Sequence, residues 1–247
     1  MNWNVDLTGE TALVIGGTKN IGLAVAQALQ SAGAAVAVVG GSDQAALDNA
    51  LDTLSKSGGE AIGFLKDMSE EAAVQSVFAE IEGKLGPVSV LVNSPGYRPH
   101  GPFADITLET WNAVLAIMLT GPFLAGREVV RRLPENRKGA IVNIGGLSAH
   151  RPAKDRAHVI AAKSGLAGLT RALAAEGQGR IRANCIVPGM IETTRKAGQP
   201  HAHFHGDEAF ARGSVEDVAR VVLAFSSPRD TYTTGQTVHV SDGRYMA

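Results

Sequence analysis

The chain has 247 residues, with 23 Lys and Arg against 24 Asp and Glu, a formal charge of −1 that gives no footprint for nucleic acid. A single cysteine, Cys185, excludes an internal disulfide framework and a multi-cysteine zinc site. With 45% hydrophobic but only 5% aromatic residues and 29 glycines, the core is one of Ala, Val, Leu and Ile drawn close at glycine.

Short apolar runs alternate with Ala-rich helical stretches along the chain. Strands are predicted at Thr11–Gly16, Ala34–Gly40, Glu60–Leu65, Val88–Asn93, Ala140–Ile144, Ile181–Val187 and Thr237–Val240. Helices are predicted near 21–32, 43–57, 69–85, 107–133, 156–178 and 214–226; in the third, Ala73, Val77 and Ile81 recur every fourth residue as one apolar stripe. This repetition predicts an α/β fold, a doubly wound parallel sheet with helices on both faces. No linker interrupts it, so residues 1–247 read as one domain. The N-terminus lacks a basic and apolar leader pattern, and no apolar run reaches membrane-spanning length. A cytoplasmic protein with no membrane partner is expected.

In such folds ligands lie at the carboxyl ends of the strands. Gly16-Gly17-Thr18-Lys19-Asn20-Ile21-Gly22 follows the first strand and opens the first helix, where small residues admit a pyrophosphate and the helix N-terminus favours its charge. An ordinary tight turn is the bland alternative. IGGTKNIG resembles the TGxxxGIG turn of the short-chain dehydrogenase/reductase family, with Asn20 in place of the middle glycine. Asp67-Met68, Asn93-Ser94-Pro95-Gly96 (resembling NNAG), Pro188-Gly189 with Thr193 (resembling PGxxxT) and the ending TGQTVHVSDG follow in the family's order. The resemblance covers essentially the whole chain. It implies a Rossmann-type seven-stranded sheet, NAD(P) binding and a homo-oligomer, commonly a homotetramer and otherwise a dimer.

Carried over by position, the resemblance makes Gly16, Thr18, Lys19, Asn20 and Ile21 the diphosphate turn, and Gly41 and Ser42 the surroundings of the 2′ position. Asp67 would accept from the adenine amino group beside Met68. Asn93, Ser94 and Gly96 would border the ribose and nicotinamide, with Pro188, Gly189, Ile191 and Thr193 near the nicotinamide end. The second strand ends in Gly40-Gly41-Ser42 with no immediate acidic residue, and Lys19 stands where a cation suits a 2′-phosphate, so NADP(H) is expected over NAD(H).

The family uses a Tyr as acid or base, a Lys four residues on, a Ser thirteen before the Tyr and an Asn on the fourth helix. Hydride transfer leaves an alkoxide that these groups stabilise and protonate. Here Lys163 is present and can hold the nicotinamide ribose, but Val159, Gly146 and Met118 stand at the other three positions. His150, His158, His100 and Tyr97 are the candidate substitutes, each also readable as solvated or structural. With Arg98, Arg151, Lys154 and Arg156 nearby, they suggest a small anionic or enolic substrate. His201, His203 and His205 fall in the family's substrate lid, here near 190–212, and no metal site is expected. An NADP-dependent oxidoreductase with altered proton donation is the leading reading. The alternatives are a non-redox lyase- or isomerase-like enzyme and a catalytically silent partner subunit.

Overall fold

The computed structural model describes residues 4–194, 211–228 and 232–246. The strands are β1 (Thr11–Ile15), β2 (Ala35–Gly40), β3 (Ala61–Leu65), β4 (Val88–Asn93), β5 (Gly139–Ile144), β6 (Ile181–Pro188) and β7 (Thr237–Val240). All pair in parallel, in the order β3-β2-β1-β4-β5-β6-β7. The apolar runs read from the sequence are continuous rather than alternating because β1, β4, β5 and β6 are buried along their whole length, with helices against both faces.

One face of the sheet is covered by α1 (Asn20–Ser31), α2 (Gln44–Ser55) and α7 (Val215–Ser226), whose Val25, Leu29, Leu47, Leu54, Val218 and Val222 pack on Ala12, Val14, Val36 and Val90. On the other, α3 (Glu71–Leu85) and α5 (Gly121–Arg132) bring Val77, Phe78, Leu124 and Val129 onto Leu13, Ile15, Leu91 and Ile141, with Leu173 of α6 (Ala157–Glu176) beside them. Chain order reverses between β1 and β4, so the two strands diverge in connection at their carboxyl ends and open the ligand crevice there.

The helix expected over 107–133 is interrupted. α4 (Leu108–Leu115) passes into a π-helical turn (Ala116–Thr120) before α5 begins. Pro122 has no N–H to give the Met118 carbonyl, and the Gly121 N–H bonds back five residues to Ala116. The expectation that no segment reaches membrane-spanning length is also corrected. Leu108–Arg132 spans 25 residues with a window of mean hydropathy 1.5, but half of that window is buried inside the fold, as in a core helix. The lid proposed over 190–212, including His201, His203 and His205, lies mostly outside the described residues.

Candidate active site

Glycine shapes the turn between β1 and α1 wherever the backbone comes close. Gly16 has φ +76, and a Cβ there would meet the Ser94 carbonyl at 2.5 Å; one on Gly22 would meet the Gly16 carbonyl at 2.0 Å. The turns after β1 and β4 therefore touch at the switch point. Lys19 is the N-cap of α1 but its side chain makes no cap bond, leaving the first N–H groups of the helix for a ligand. Its Nζ instead reaches Asp43 Oδ2 at 2.5 Å, while Asp43 Oδ1 caps α2 through Ala46 N. Lys19 is thus partnered, which the sequence alone did not show.

The floor of the crevice is polar. Asn93 Nδ2 donates to Asn143 Oδ1 at 2.8 Å, Asn143 Nδ2 to Thr170 Oγ1 at 2.9 Å, and Thr170 Oγ1 to the Leu166 carbonyl at 2.8 Å. Asn93 Oδ1 is buried without a partner at the end of β4, an acceptor suited to a ribose hydroxyl. Together with the glycine cradle and the open α1 N-terminus, this fits a nicotinamide dinucleotide. Asp67 is exposed and its Oδ1 accepts from Ser69 N and Oγ; Met68 is buried, its carbonyl close under Gly121. Gly41 and Ser42 are exposed, with open space where a Gly41 Cβ would stand.

Lys163 is 3% exposed, and its Nζ donates to the Ile144 carbonyl at 2.6 Å. Burial, reinforced by the charge of Arg98 and opposed by Cys185, brings its pKa down to about 7. Burial likewise pushes the Cys185 thiol up to about 11. One helical turn before Lys163, Val159 packs with Met118, Val114 and Ala162 in an apolar cluster that forms one wall. Gly146 lies against the Lys163 stem, where a Cβ would sit 3.5 Å from Cγ.

The depressed lysine makes stability depend on pH. Unfolded, the amine titrates near 10.5; folded, near 7. The buried ammonium therefore penalises the native state fully below pH 7, and the penalty disappears as pH rises towards 10.5. After subtracting the lost bond to Ile144, Lys163→Met is expected to be about 1–3 kcal/mol more stable than the parent at pH 6, and to become the less stable of the two as pH approaches 10. Urea unfolding at several pH values reads this directly.

The candidate substitutes do not converge on Lys163 as one group. His150 ends the short 3-10 turn Leu147–Ala149, and its ring packs edge-on to His239 at 4.5 Å and near Tyr245 at 5.3 Å. Burial lowers its pKa, and that of His239, where His150 adds to the effect. The inward aim open to His150 from its loop position is taken instead by these ring contacts. His100 Nε2 contacts the Arg156 guanidinium, in which arginine can only donate. The Gly101 N–H donates to the Asp155 carbonyl, joining the two loops. His158 is 1% exposed with both ring nitrogens unpartnered in hydrogen-bond geometry. Its pKa is lowered chiefly by burial, with the Pro99 carbonyl opposing and Arg156 assisting. Tyr97 is 41% exposed.

Arg98, read from the sequence as one of the crevice cations, has its guanidinium over Gly96 and its charge reaching Lys163; the sequence did not single out His239, Tyr245 or Thr194. The order β5-β6-β7, which brings the C-terminal strand beside the crevice, was the available signal for His239. Beyond β6, the hydrogen bonds to the diphosphate turn fall on Thr194, next to the expected Thr193. Ile191 is buried and bridges to Gly213, and the Gly189 N–H donates to Val240.

A family model described as enoyl-(acyl carrier protein) reductase matches residues 16–244. The 2-dehydro-3-deoxy-D-gluconate 5-dehydrogenase of Formosa agariphila is 30% identical over 246 residues, covering 96% of this chain and 93% of that protein. The 3-oxoacyl-(acyl-carrier-protein) reductase FabG of Aquifex aeolicus is 32% identical over 246 residues, covering 98% and 99%. The blue fluorescent protein from a metagenomic library, solved in complex with NADPH, superposes with a TM-score of 0.87 at 30% identity, covering 98% of this chain and all of that one. Matched by that family model over residues 16–244 and by relatives at 30% identity or more over nearly its full length, the chain belongs to the short-chain dehydrogenase/reductase family and is an oxidoreductase of that type.

Proposed function

We propose that this is an NADP-dependent oxidoreductase whose proton comes from Lys163 itself, acting on a small anionic carbonyl, enone or related activated compound. The observation that carries this reading is the buried Lys163 amine, titrating near 7 beside a wall of Val159 and Met118 that offers no proton. On this reading the chain is an atypical member of its family, with Val159 and Gly146 at the positions of the usual tyrosine and serine.

When bound, the nicotinamide supplies the hydride. As the carbonyl carbon takes it, the oxygen takes the Lys163 ammonium proton, leaving a neutral amine that solvent reprotonates before the next cycle. A pKa near the working pH keeps both forms populated, as acid–base catalysis requires. The substrate class follows from charge. Residues 94–103 and 145–163 carry Arg98, Arg151, Lys154, Arg156 and Lys163 against Asp155 alone, in a chain of net charge −1. Arg98 and Lys163 repel one another across the crevice, and a substrate anion relieves that repulsion. His158 and His100 border the same loops and orient the substrate; His150 and Tyr97 are the outer candidates. A cytoplasmic setting suits an unpaired buried thiol, and a homo-oligomer suits the family.

NADP preference rests on Lys19 beside the α2 N-terminus, in agreement with the NADPH-bound relative. Asp43 works against it by holding Lys19. Asp43→Asn keeps the cap of α2 and releases the lysine. It is expected to tighten NADPH about three- to fivefold relative to NADH. Fluorescence titration with both cofactors, followed by a turnover screen of oxo acids, dicarbonyls and enones, tests the reading. A parent protein that prefers NADH, or that binds NADPH and consumes it with no substrate in the screen, overturns it.

A further inference from the structure

Asn20 has a left-handed backbone, φ +49, at the first position of α1. Glycine takes that conformation freely, and asparagine is among the few other residues that tolerate it. The backbone therefore asks for no side chain here, yet the carboxamide makes three bonds to a residue 174 positions away. Oδ1 accepts from Thr194 N at 2.8 Å and from Thr194 Oγ1 at 2.9 Å, while Nδ2 donates to the Thr194 carbonyl at 3.1 Å.

The residues leading to Thr194 are pinned on their other side. The Gly189 N–H donates to Val240, Ile191 pairs with Gly213, and Glu192 N and Gly213 N close bonds of 2.9 and 3.0 Å to Gly213 O and Met190 O. Residues 189–194 thus run from the end of β6, beside β7, across the carboxyl edge of the sheet and are fastened to the N-terminus of α1 by Asn20 alone among the described hydrogen bonds. That terminus is also where Lys19 leaves the helix uncapped.

Building on the cofactor site above, we propose that Asn20 is a positioning residue: its bonds to Thr194 clasp the segment after β6 onto the diphosphate turn, and this clasp must open before a bound dinucleotide leaves. Retention, rather than the chemical step, is what it controls. A glycine at this position keeps the turn and removes the clasp.

Stopped-flow displacement of NADPH from the full-length protein tests this. With three bonds lost, Asn20→Gly is expected to release NADPH about tenfold faster and, because the clasp also stands in the cofactor-free protein, to bind it faster too, with the cofactor-free melting temperature lowered by about 2–4 °C. Thr194→Ala, which keeps both backbone bonds, is expected to raise release only about twofold. Hydrogen exchange in the cofactor-free protein should show the Thr194 amide losing protection in Asn20→Gly and keeping it in Thr194→Ala. If the parent binds NADPH and Asn20→Gly releases it at the parent rate, the clasp is overturned while the cofactor reading stands. If the parent binds neither NADPH nor NADH, both fall.

Discussion

Lys163→Met is expected to bind NADPH and to reduce the parent's substrate about a hundred- to a thousandfold more slowly, the cost of removing one well-placed donor. Methionine matches the length and volume of the lysine stem, which lies against Gly146 beside the Val159 cluster, so the fold survives. The pH dependence separates a proton donor from a residue that only packs. The parent's kcat/KM should fall as pH rises through about 7, because the reductive direction needs the ammonium form. The variant's residual rate should lose that inflection. A variant with near-parental kcat/KM and an unchanged profile would place the proton elsewhere, with the buried ring of His158, beside the Pro99 carbonyl, the first group to replace.

The combined substitution Gly146→Ser with Val159→Tyr is expected to raise reduction of an unactivated ketone by about two to three orders of magnitude. A Cβ on Gly146 would make only ordinary contact with Lys163, so a serine enters without forcing the backbone. Val159 lies four residues before Lys163 on α6, which puts both side chains on one helix face. A phenol there would have the lysine's charge beside it to lower its own pKa. Tyrosine is larger than the site left by Met118 and Ala162, and overpacking of about 1–3 kcal/mol follows; Met118→Asn is the added change that relieves it. A folded, cofactor-binding double variant with no gain on simple ketones would show that the rest of the crevice holds substrates in some other pose.

The strands were legible because parallel strands buried on both faces leave uninterrupted apolar runs, and Thr11–Ile15 and Val88–Asn93 show this plainly. The diphosphate turn was legible for a similar reason: where a Cβ has 2.0 Å of room, as at Gly22, only glycine fits. The π-helical turn was not read, although Pro122 stood in view, because a proline in its first turn also suits an uninterrupted helix start. Pairings between distant residues left no local trace. Lys19 meets Asp43 across 24 residues and Asn20 meets Thr194 across 174, and neither bond changes any periodicity. The aim of His150 depended on which strand closed the sheet beside it, which a list of loops cannot supply.

The chain of bonds from Asn93 through Asn143 and Thr170 to Leu166 enlists none of Val159, Gly146 and Met118. What steadies the base of the cleft thus rests on β5 and α6, the elements that also hold Lys163, but on side chains other than those of its wall. A lineage with this arrangement is free to exchange one reaction for another through a handful of wall substitutions, without rebuilding the foundation on which its cofactor rests.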